Sequence, residues 1–281
     1  MPIFDQSYRH YEGKIKGYSF RWWIITREGI MHFLRQKKFL LFLLLTLITF
    51  IVRGIQIYVA THFPQVRLQL LDINPRFFYQ FILQQQFFLL IMTLLVGSGL
   101  IANDLRYNAL QLYLSKPIRR LDYIAGKLAV IAFFLSLITL IPGLFLFIIR
   151  LLFSNDLSFI KQYYWLPFSI TGFSLIIIIT TSCLIIAISS LFKSPRLAAI
   201  IFAIIFIFSP IIFRILNRIF HNTKVALVSY SHNISQTGSK LFGLKPSYAS
   251  HWAWSLIIMM GITLISLYII NKKVRGVEIA K

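Results

Sequence analysis

The sequence predicts an all-α integral membrane protein whose chain crosses the bilayer six times. Of its 281 residues, 58% are hydrophobic and only 13% are charged, whereas a soluble domain carries about 25% charged residues. The mean hydropathy is +0.75, and the apolar residues form blocks that reach the roughly 20 residues needed to span a bilayer. Because little polar sequence lies outside these blocks, we expect residues 1–281 to form a single transmembrane domain.

The first 38 residues are polar and basic, and they predict a helix at the membrane surface. Between Phe20 and Lys38, apolar and aromatic residues recur near helical spacing, and most basic residues fall elsewhere on the helical wheel. A basic helix with aromatic anchors is typical of the headgroup plane. The alternative is a plain cytoplasmic helix that leads into the first span.

Six apolar blocks give the predicted spans. Arg53 lies near the far end of the first block, and we expect its long side chain to reach the outer surface. Pro142 and Gly143 predict a kink within the third. The spans are residues 39–60, 81–102, 128–153, 166–192, 197–213 and 252–270.

The distribution of basic residues predicts that both termini are cytoplasmic. With the N-terminus inside, the inner segments hold 19 Lys and Arg residues and the outer segments hold 9, as the positive-inside rule requires. This topology, together with anionic lipid, explains the net charge of +21, so nucleic-acid binding is not expected. The inner segments are 1–38, 103–127, 193–196 and 271–281.

The longest outer segment, residues 214–250, contains two short apolar patches at 225–228 and 241–244. Each patch is too short to span the bilayer. Non-helical or short helical segments at membrane depth are tolerated where protein surrounds them, so re-entrant pieces are expected here.

The residues with catalytic or metal-binding potential are few. None of the eight acidic residues lies in the middle of a span, which disfavours an ion-coupled carrier. A single cysteine, Cys183, excludes an intrachain disulfide and a thiolate zinc site. Gly126-Lys127 lacks the rest of a phosphate-binding loop, because Leu121 and Leu128 occupy its first and last positions. No metal or nucleotide site is therefore expected in this chain.

Ser98 and His251 are the residues on which an intramembrane hydrolase would depend. Ser98 is predicted near the inner side of the membrane and His251 near the outer side, so the two should not come within hydrogen-bond reach. Packing of small residues therefore explains Ser98 better. Polar residues elsewhere in the spans favour a helix–helix interface, with the lining of a pathway as the alternative. These are Gln84, Gln85, Thr171, Ser174, Thr181 and Ser182.

The loop between the second and third spans, residues 103–127, is the most informative stretch. Asn108 to Ser115 predicts a short amphipathic helix that Pro117 ends. A second helix is expected to run from Leu121 into the third span, with Asp122 in its first turn. Such a pair of helices suits the docking of a partner.

This loop resembles the first cytoplasmic loop of type-2 ATP-binding-cassette (ABC) permeases, the membrane subunits of many bacterial exporters. The matching features are an acidic residue, an asparagine-initiated helix, a leucine-rich turn, Ser-x-Pro, a basic turn and Tyr-x-x-Gly-Lys. They stand at Asp104, Asn108–Leu110, Leu112–Leu114, Ser115–Pro117, Arg119–Arg120 and Tyr123–Lys127.

The resemblance implies a permease of the bacterial inner membrane that forms a homodimer and pairs with two separate ABC ATPase chains. ATP and Mg would bind those chains, and the loop would carry their motion into the spans. The expected ATPase-coupling residues are Asp104, Arg106, Asn108, Leu110, Tyr113, Leu114, Ser115, Pro117 and Arg120. A non-transporting anchor or mechanotransducing subunit of an ABC complex, and a secondary carrier, are the alternatives. The sequence does not identify a substrate.

Overall fold

The computed structural model describes residues 21–62, 73–109, 113, 119–153, 158–246 and 248–274, and the regular elements within these ranges are all helical. We number the α-helices in chain order. They are α1 (Arg21–Leu34), α2 (Lys37–His62), α3 (Pro75–Gln84), α4 (Gln86–Met92), α5 (Gly99–Arg106), α6 (Arg120–Ile138), α7 (Leu140–Phe153), α8 (Ser158–Tyr163), α9 (Leu166–Leu191), α10 (Pro195–Phe220), α11 (Tyr230–Leu241) and α12 (Trp252–Lys273). A π turn covers Thr93–Gly97, and a 3₁₀ helix covers Thr223–Val228.

Six helical segments are long and apolar enough to cross a membrane, which confirms the predicted fold class. The second and third spans are each built from more than one helix, and the fifth continues through Pro210 to Phe220. Transmembrane helices tolerate an internal proline when neighbouring groups satisfy the freed backbone. The segments are Lys37–His62, Pro75–Arg106, Arg120–Phe153, Lys161–Leu191, Pro195–Phe220 and Trp252–Lys273.

The fourth span is the central helix of the bundle. Its most apolar stretch is 72% buried within the protein, against 17% for the first span and 11% for the fifth. The fourth span packs against parts of the second, third, fifth and sixth spans. The first and fifth spans instead expose apolar side chains such as Leu41 and Ile215, and these faces are open to lipid or to another chain.

The second span contains a π turn that a serine from the fourth span supports. The Ser189 hydroxyl accepts the N–H groups of Ile101 (3.2 Å) and Ala102 (2.9 Å) and donates to the carbonyl of Ser98 (2.8 Å). A π turn shifts backbone pairing from i−4 to i−5 and leaves nearby groups without their usual partners. One hydroxyl therefore satisfies three backbone groups and joins the two spans.

The third span is interrupted at Thr139, one turn before the Pro142-Gly143 pair at which the kink was expected. Proline has no N–H to donate to the carbonyl of Ile138, and its ring crowds that turn. The helical bonding resumes with the N–H of Gly143, which donates to the carbonyl of Thr139 at 3.1 Å. The predicted kink is thus displaced towards the N-terminus by the turn that precedes the proline.

The segment between the fifth and sixth spans folds back onto the fourth span. Tyr230, at the start of α11, bonds Thr181 through its hydroxyl (2.9 Å), and the carbonyl of Leu241, at the end of α11, accepts from Ser169 (2.7 Å). The 12-residue α11 therefore runs antiparallel to the outer part of the fourth span. It is too short to cross a bilayer, and it lies between the two apolar patches at which re-entrant pieces were predicted.

Candidate functional site at the loop between the second and third spans

A buried ion pair closes the base of the loop. The Lys127 ammonium lies 2.7 Å from Asp104 Oδ2, and the Tyr123 hydroxyl donates to the same oxygen at 2.6 Å. The side chains of Lys127 and Asp104 are only 11% and 14% exposed. Asp104 ends the second span and the other two residues begin the third, so this loop clamp (Asp104, Tyr123 and Lys127) ties the two spans together.

Two tyrosine rings cover the charged end of Lys127. Its ammonium lies 5.6 Å from the ring centroid of Tyr113 and 5.5 Å from that of Tyr123, and the two rings are 5.4 Å apart. A cation over an aromatic face at this distance is stabilised. Burial, with the nearby carboxylates of Asp104 and Glu28, raises the pKa of the Tyr113 hydroxyl, so this hydroxyl stays neutral at physiological pH. Tyr113 belongs to the loop, and its ring packs against the clamp.

The helices on either side of the loop end through local capping. Asn108 adopts a left-handed conformation with φ 54°, which asparagine tolerates well and which commonly terminates a helix. It therefore terminates the helix of the second span. At the other end, the N–H of Arg119 donates to Asp122 Oδ2 at 3.3 Å, an N-terminal capping arrangement. The prediction that a helix begins here with Asp122 in its first turn is confirmed.

The N-terminal helix α1 packs directly on the start of the third span. A Cβ added at Gly126 would lie 2.9 Å from Ile25 Cβ and 3.0 Å from the Trp22 carbonyl oxygen. The Thr26 hydroxyl, buried in the same contact, donates towards the carbonyls of Trp22 (2.9 Å) and Gly126 (3.2 Å). Only a glycine at position 126 allows the two helices to approach this closely.

A polar cleft of about 770 Å³ lies beside the clamp. Its walls come from α1, the end of the second span and the start of the third. It is lined by charged and polar side chains as well as by apolar ones, and the polar ones include Glu28, His32, Arg35, Gln36, Ser98, Asn103, Asp104, Tyr113 and Lys127. The cleft connects the clamp to the N-terminal helix.

The predicted coupling residues are distributed between the interior and the surface. Asp104 faces the clamp, Arg106 and Asn108 are exposed, and Arg120 Nη1 lies 3.5 Å from Asn271 Oδ1 at the end of the sixth span. Tyr113 packs on the clamp as described. Four of the predicted residues, Leu110, Leu114, Ser115 and Pro117, lie outside the described residues.

Four residues that belong to this region were absent from the predicted set. Tyr123 and Lys127 complete the clamp, and they are the first and last residues of the Tyr-x-x-Gly-Lys motif. Tyr107 and Leu121 flank the loop and expose 70% and 72% of their surfaces. Large apolar side chains at the ends of a polar loop were the signal that could have identified the second pair.

Arg53 does not reach the outer surface, so that expectation was wrong. It is only 8% exposed. Its guanidinium donates to Gln84 Oε1 and Gln56 Oε1, both at 3.2 Å, and lies 4.8 Å from the ring centroid of Phe77. Amide oxygens and an aromatic face satisfy the guanidinium within the protein, and the contact with Gln84 joins the first span to the second.

The neighbouring glutamines bind two other elements. Gln85 Nε2 donates to Thr49 Oγ1 at 2.7 Å, and Gln85 is fully buried. Gln86 Oε1 accepts from Ser231 at 2.8 Å. Three consecutive amides thus link the second span to the first span and to α11, which is a structural role for this polar run.

The polar stripe of the fourth span lies mainly at helix contacts. Thr181 bonds Tyr230, while Ser174 and Ser182 are buried with hydroxyls that have no hydrogen-bond partner. Thr171 is half-buried. These positions favour the helix-interface interpretation of the stripe over an open pathway.

The candidate hydrolase pair has other structural roles. The Ser98 hydroxyl donates to the carbonyl of Leu94 within its own helix (2.6 Å), and His251 caps the sixth span by accepting the Ala253 N–H (3.3 Å). Ser98 lies where the second span meets Ser189, towards the loop clamp, and His251 begins the sixth span at the outer segment.

Six long apolar helical segments define a polytopic α-helical membrane protein. The family model for ABC-2 family transporter proteins matches residues 22–270, so the chain belongs to that family. Proteins of this family are membrane transport components that work with ABC ATPase subunits. No match to an individual curated protein was found.

Proposed function

We propose that this chain is the membrane subunit of an ATP-driven exporter in which two copies pair and two separate ATPase chains dock on the loop at residues 103–127. The observation that carries the proposal is the loop clamp. An element that transmits force must be joined rigidly to what it moves, and a nearly buried ion pair with an added hydrogen bond provides that rigidity. Family membership supplies the ATPase partner.

The clamp offers two routes from the loop into the membrane. One runs through Lys127 and Tyr123 along the third span, and the other through Asp104 along the second span. A displacement of the loop would move both spans together because the clamp connects them. Asp104 and Lys127 act in this proposal as positioning residues within the loop, while the docking contacts lie on the surface around them.

The docking surface in this proposal includes the exposed residues at both ends of the loop. Tyr107 and Leu121 contribute apolar area, and Arg106 contributes charge. Exposed aromatic residues and arginine are favoured at protein interfaces. The sequence-predicted contacts at Leu110, Leu114, Ser115 and Pro117 lie between these ends in the chain.

In the proposed complex, ATP and Mg bind the ATPase chains, and both termini of this chain face the cytoplasm of a bacterium. The excess of basic residues in the segments on the loop side supports this orientation. Arg120 Nη1 lies 3.5 Å from Asn271 Oδ1 at the end of the sixth span, which supports a common side of the membrane for the start of the third span and the end of the sixth.

The test is copurification of the chain with the ATPase encoded beside it. The variant Tyr107→Glu/Leu121→Glu is expected to lose the ATPase, because burying two added carboxylates in an apolar contact is unfavourable. Charges at Leu110 and Leu114 should act in the same direction. Tyr164→Glu provides the matched control, since Tyr164 is 68% exposed but follows α8 at the opposite end of the bundle. Undiminished ATPase binding by the double variant would contradict the docking assignment.

A further inference from the structure

A second recess lies on the other side of α1 from the polar cleft. This apolar groove has a volume of about 300 Å³ and is bounded by α1, the third span and the fourth span. Its walls include Trp22, Trp23 and Ile30 from α1, and Ala132 and Leu175 from the two spans.

The surface of the groove is apolar although two hydroxyl groups lie in its walls. The Thr26 hydroxyl donates towards the carbonyls of Trp22 and Gly126, and the Ser136 hydroxyl donates to the carbonyl of Phe133 in its own helix at 2.7 Å. Ala129 and Ala132 are too small to fill the space beside the third span. A hydrocarbon chain is the ligand that suits walls of this kind.

The length of the groove matches one leaflet. Its lining on the third span runs from Ala129 to Leu140, and at 1.5 Å per residue this is about 16 Å. One leaflet contributes about half of the roughly 30 Å of bilayer hydrocarbon. The groove therefore has the depth of a single acyl chain that enters at the level of α1.

Two charged residues of α1 lie at different positions relative to the recesses. Arg27 is exposed and follows Trp23, a wall residue of the groove, by one helical turn, so the two side chains are neighbours on the surface of α1. Glu28 lines the polar cleft instead. Tryptophan is enriched at the membrane interface, so Trp22 and Trp23 place the mouth of the groove at headgroup depth, where Arg27 can contact a phosphate.

We propose that the apolar groove binds one acyl chain of an anionic glycerophospholipid and that Arg27 binds its headgroup phosphate. The lipid belongs to the leaflet on the α1 side, which is the inner leaflet in the topology proposed above. Its binding holds α1 against the third span. The ATPase takes no part in this site.

The experiment measures lipid retained by the full-length chain alone, in detergent, by native mass spectrometry. Phosphatidylglycerol and phosphatidylcholine with identical acyl chains are added in turn. The wild-type chain is expected to retain phosphatidylglycerol in preference. Arg27→Gln should reduce that preference about fivefold, since one basic residue near an anionic headgroup contributes about 1 kcal/mol. Arg35→Gln, just after the end of α1 and lining the cleft, should leave it unchanged.

Filling the groove tests the acyl-chain site separately. Ala132→Phe should abolish the retention of both lipids, and Ser136→Leu provides a second variant if the first does not fold. Gly261→Ala is the control, because a Cβ added at Gly261 meets nothing within 4 Å and lies away from the groove. Equal retention by the filled and wild-type chains, or no preference between the lipids in the wild type, would overturn the proposal. So would retention seen only after removal of residues 1–20, which would assign the groove to that segment. Failure of ATPase docking leaves all these results unaffected, so the two proposals can fail independently.

Discussion

The polar cleft and the apolar groove lie on different sides of the same helix and differ in the chemistry of their walls. The cleft is lined by charged groups that include Asp104 and Lys127 of the clamp, whereas the groove is lined by hydrocarbon and two tryptophans. Between them, α1 touches the third span through Ile25 and Thr26. The difference shows that α1 is more than a surface helix, because it separates a polar recess from an apolar one. The face of α1 that carries Ile25 and Thr26 fixes the helix to the bundle.

The largest expected effect comes from breaking the clamp on the cleft side. Asp104→Asn leaves the Lys127 ammonium nearly buried without a counter-charge, and removing one partner of such a pair typically destabilises a protein by about 3 kcal/mol or more. The free energy of unfolding in detergent, followed by pulse proteolysis, measures the effect.

Asp122→Asn is the control for the clamp. Its carboxylate accepts the Arg119 N–H at the start of the helix, and loss of such a cap costs about 1 kcal/mol. If Asp104→Asn were no more destabilising than Asp122→Asn, the clamp would not be a major stabilising contact. Replacement of both Asp104 and Lys127 by leucine should recover much of the loss.

The next largest loss of stability is expected from a change in the contact between α1 and the third span, which separates the polar cleft from the apolar groove. Gly126→Ala places a methyl group against Ile25 and the Trp22 carbonyl, so α1 must shift, and overpacking costs about 1–3 kcal/mol. Gly54→Ala is the matched control, because nothing lies within 4 Å of its added methyl group. There the higher helix propensity of alanine should stabilise the protein by up to about 1 kcal/mol. Opposite signs for the two glycines, measured by thermal unfolding, are the expected result.

A smaller effect is expected behind the cleft, where Ser189 supports the end of the second span. Ser189→Ala removes the partner of the Ile101 and Ala102 N–H groups and of the Ser98 carbonyl. Leaving buried backbone groups unpaired costs about 1–3 kcal/mol, and water entering the cleft should reduce this. Ser190→Ala is the control, since Ser190 donates only to Ala187 in its own helix. Equal stability of the two variants would show that the π turn does not need the fourth span.

The smallest loss of stability should follow from Thr26→Val, which removes a hydroxyl from the contact between α1 and the third span while keeping the shape of the side chain. The hydroxyl bonds carbonyls of α1 and the third span, and a single neutral hydrogen bond contributes about 1 kcal/mol. Thr263→Val is the comparison, because Thr263 donates only within the sixth span. We expect Thr26→Val to loosen α1 enough to increase proteolysis near residue 36, and an unchanged rate in both variants would contradict this.

The membrane fold could be predicted because each span is a local property of the sequence. Apolar blocks identify the helices that are long enough to cross a membrane. Within the site, the cap at Asp122 could also be predicted, since it lies within one helical turn of Arg119.

The contacts between spans could not be predicted in this way. Asp104 and Lys127 are separated by a loop, and nothing in their spacing shows that the two helix ends meet. Arg53 was assigned to the surface because its partner, Gln84, belongs to another span. The role of Gly126 likewise depends on Ile25, which approaches it only after α1 folds back on the third span.

The π turn at Thr93–Gly97 has a consequence for the angular register of the second span. An α-helix advances about 100° per residue, so one residue accommodated in a wider turn rotates everything beyond it by that amount. Asp104 lies beyond the turn. If the turn tightened to ordinary α-helix, Asp104 would rotate away from Lys127 while the outer half of the span stayed in place. The five residues of the π turn therefore determine the direction that the last turn of the second span faces, and with it the contact between Asp104 and Lys127.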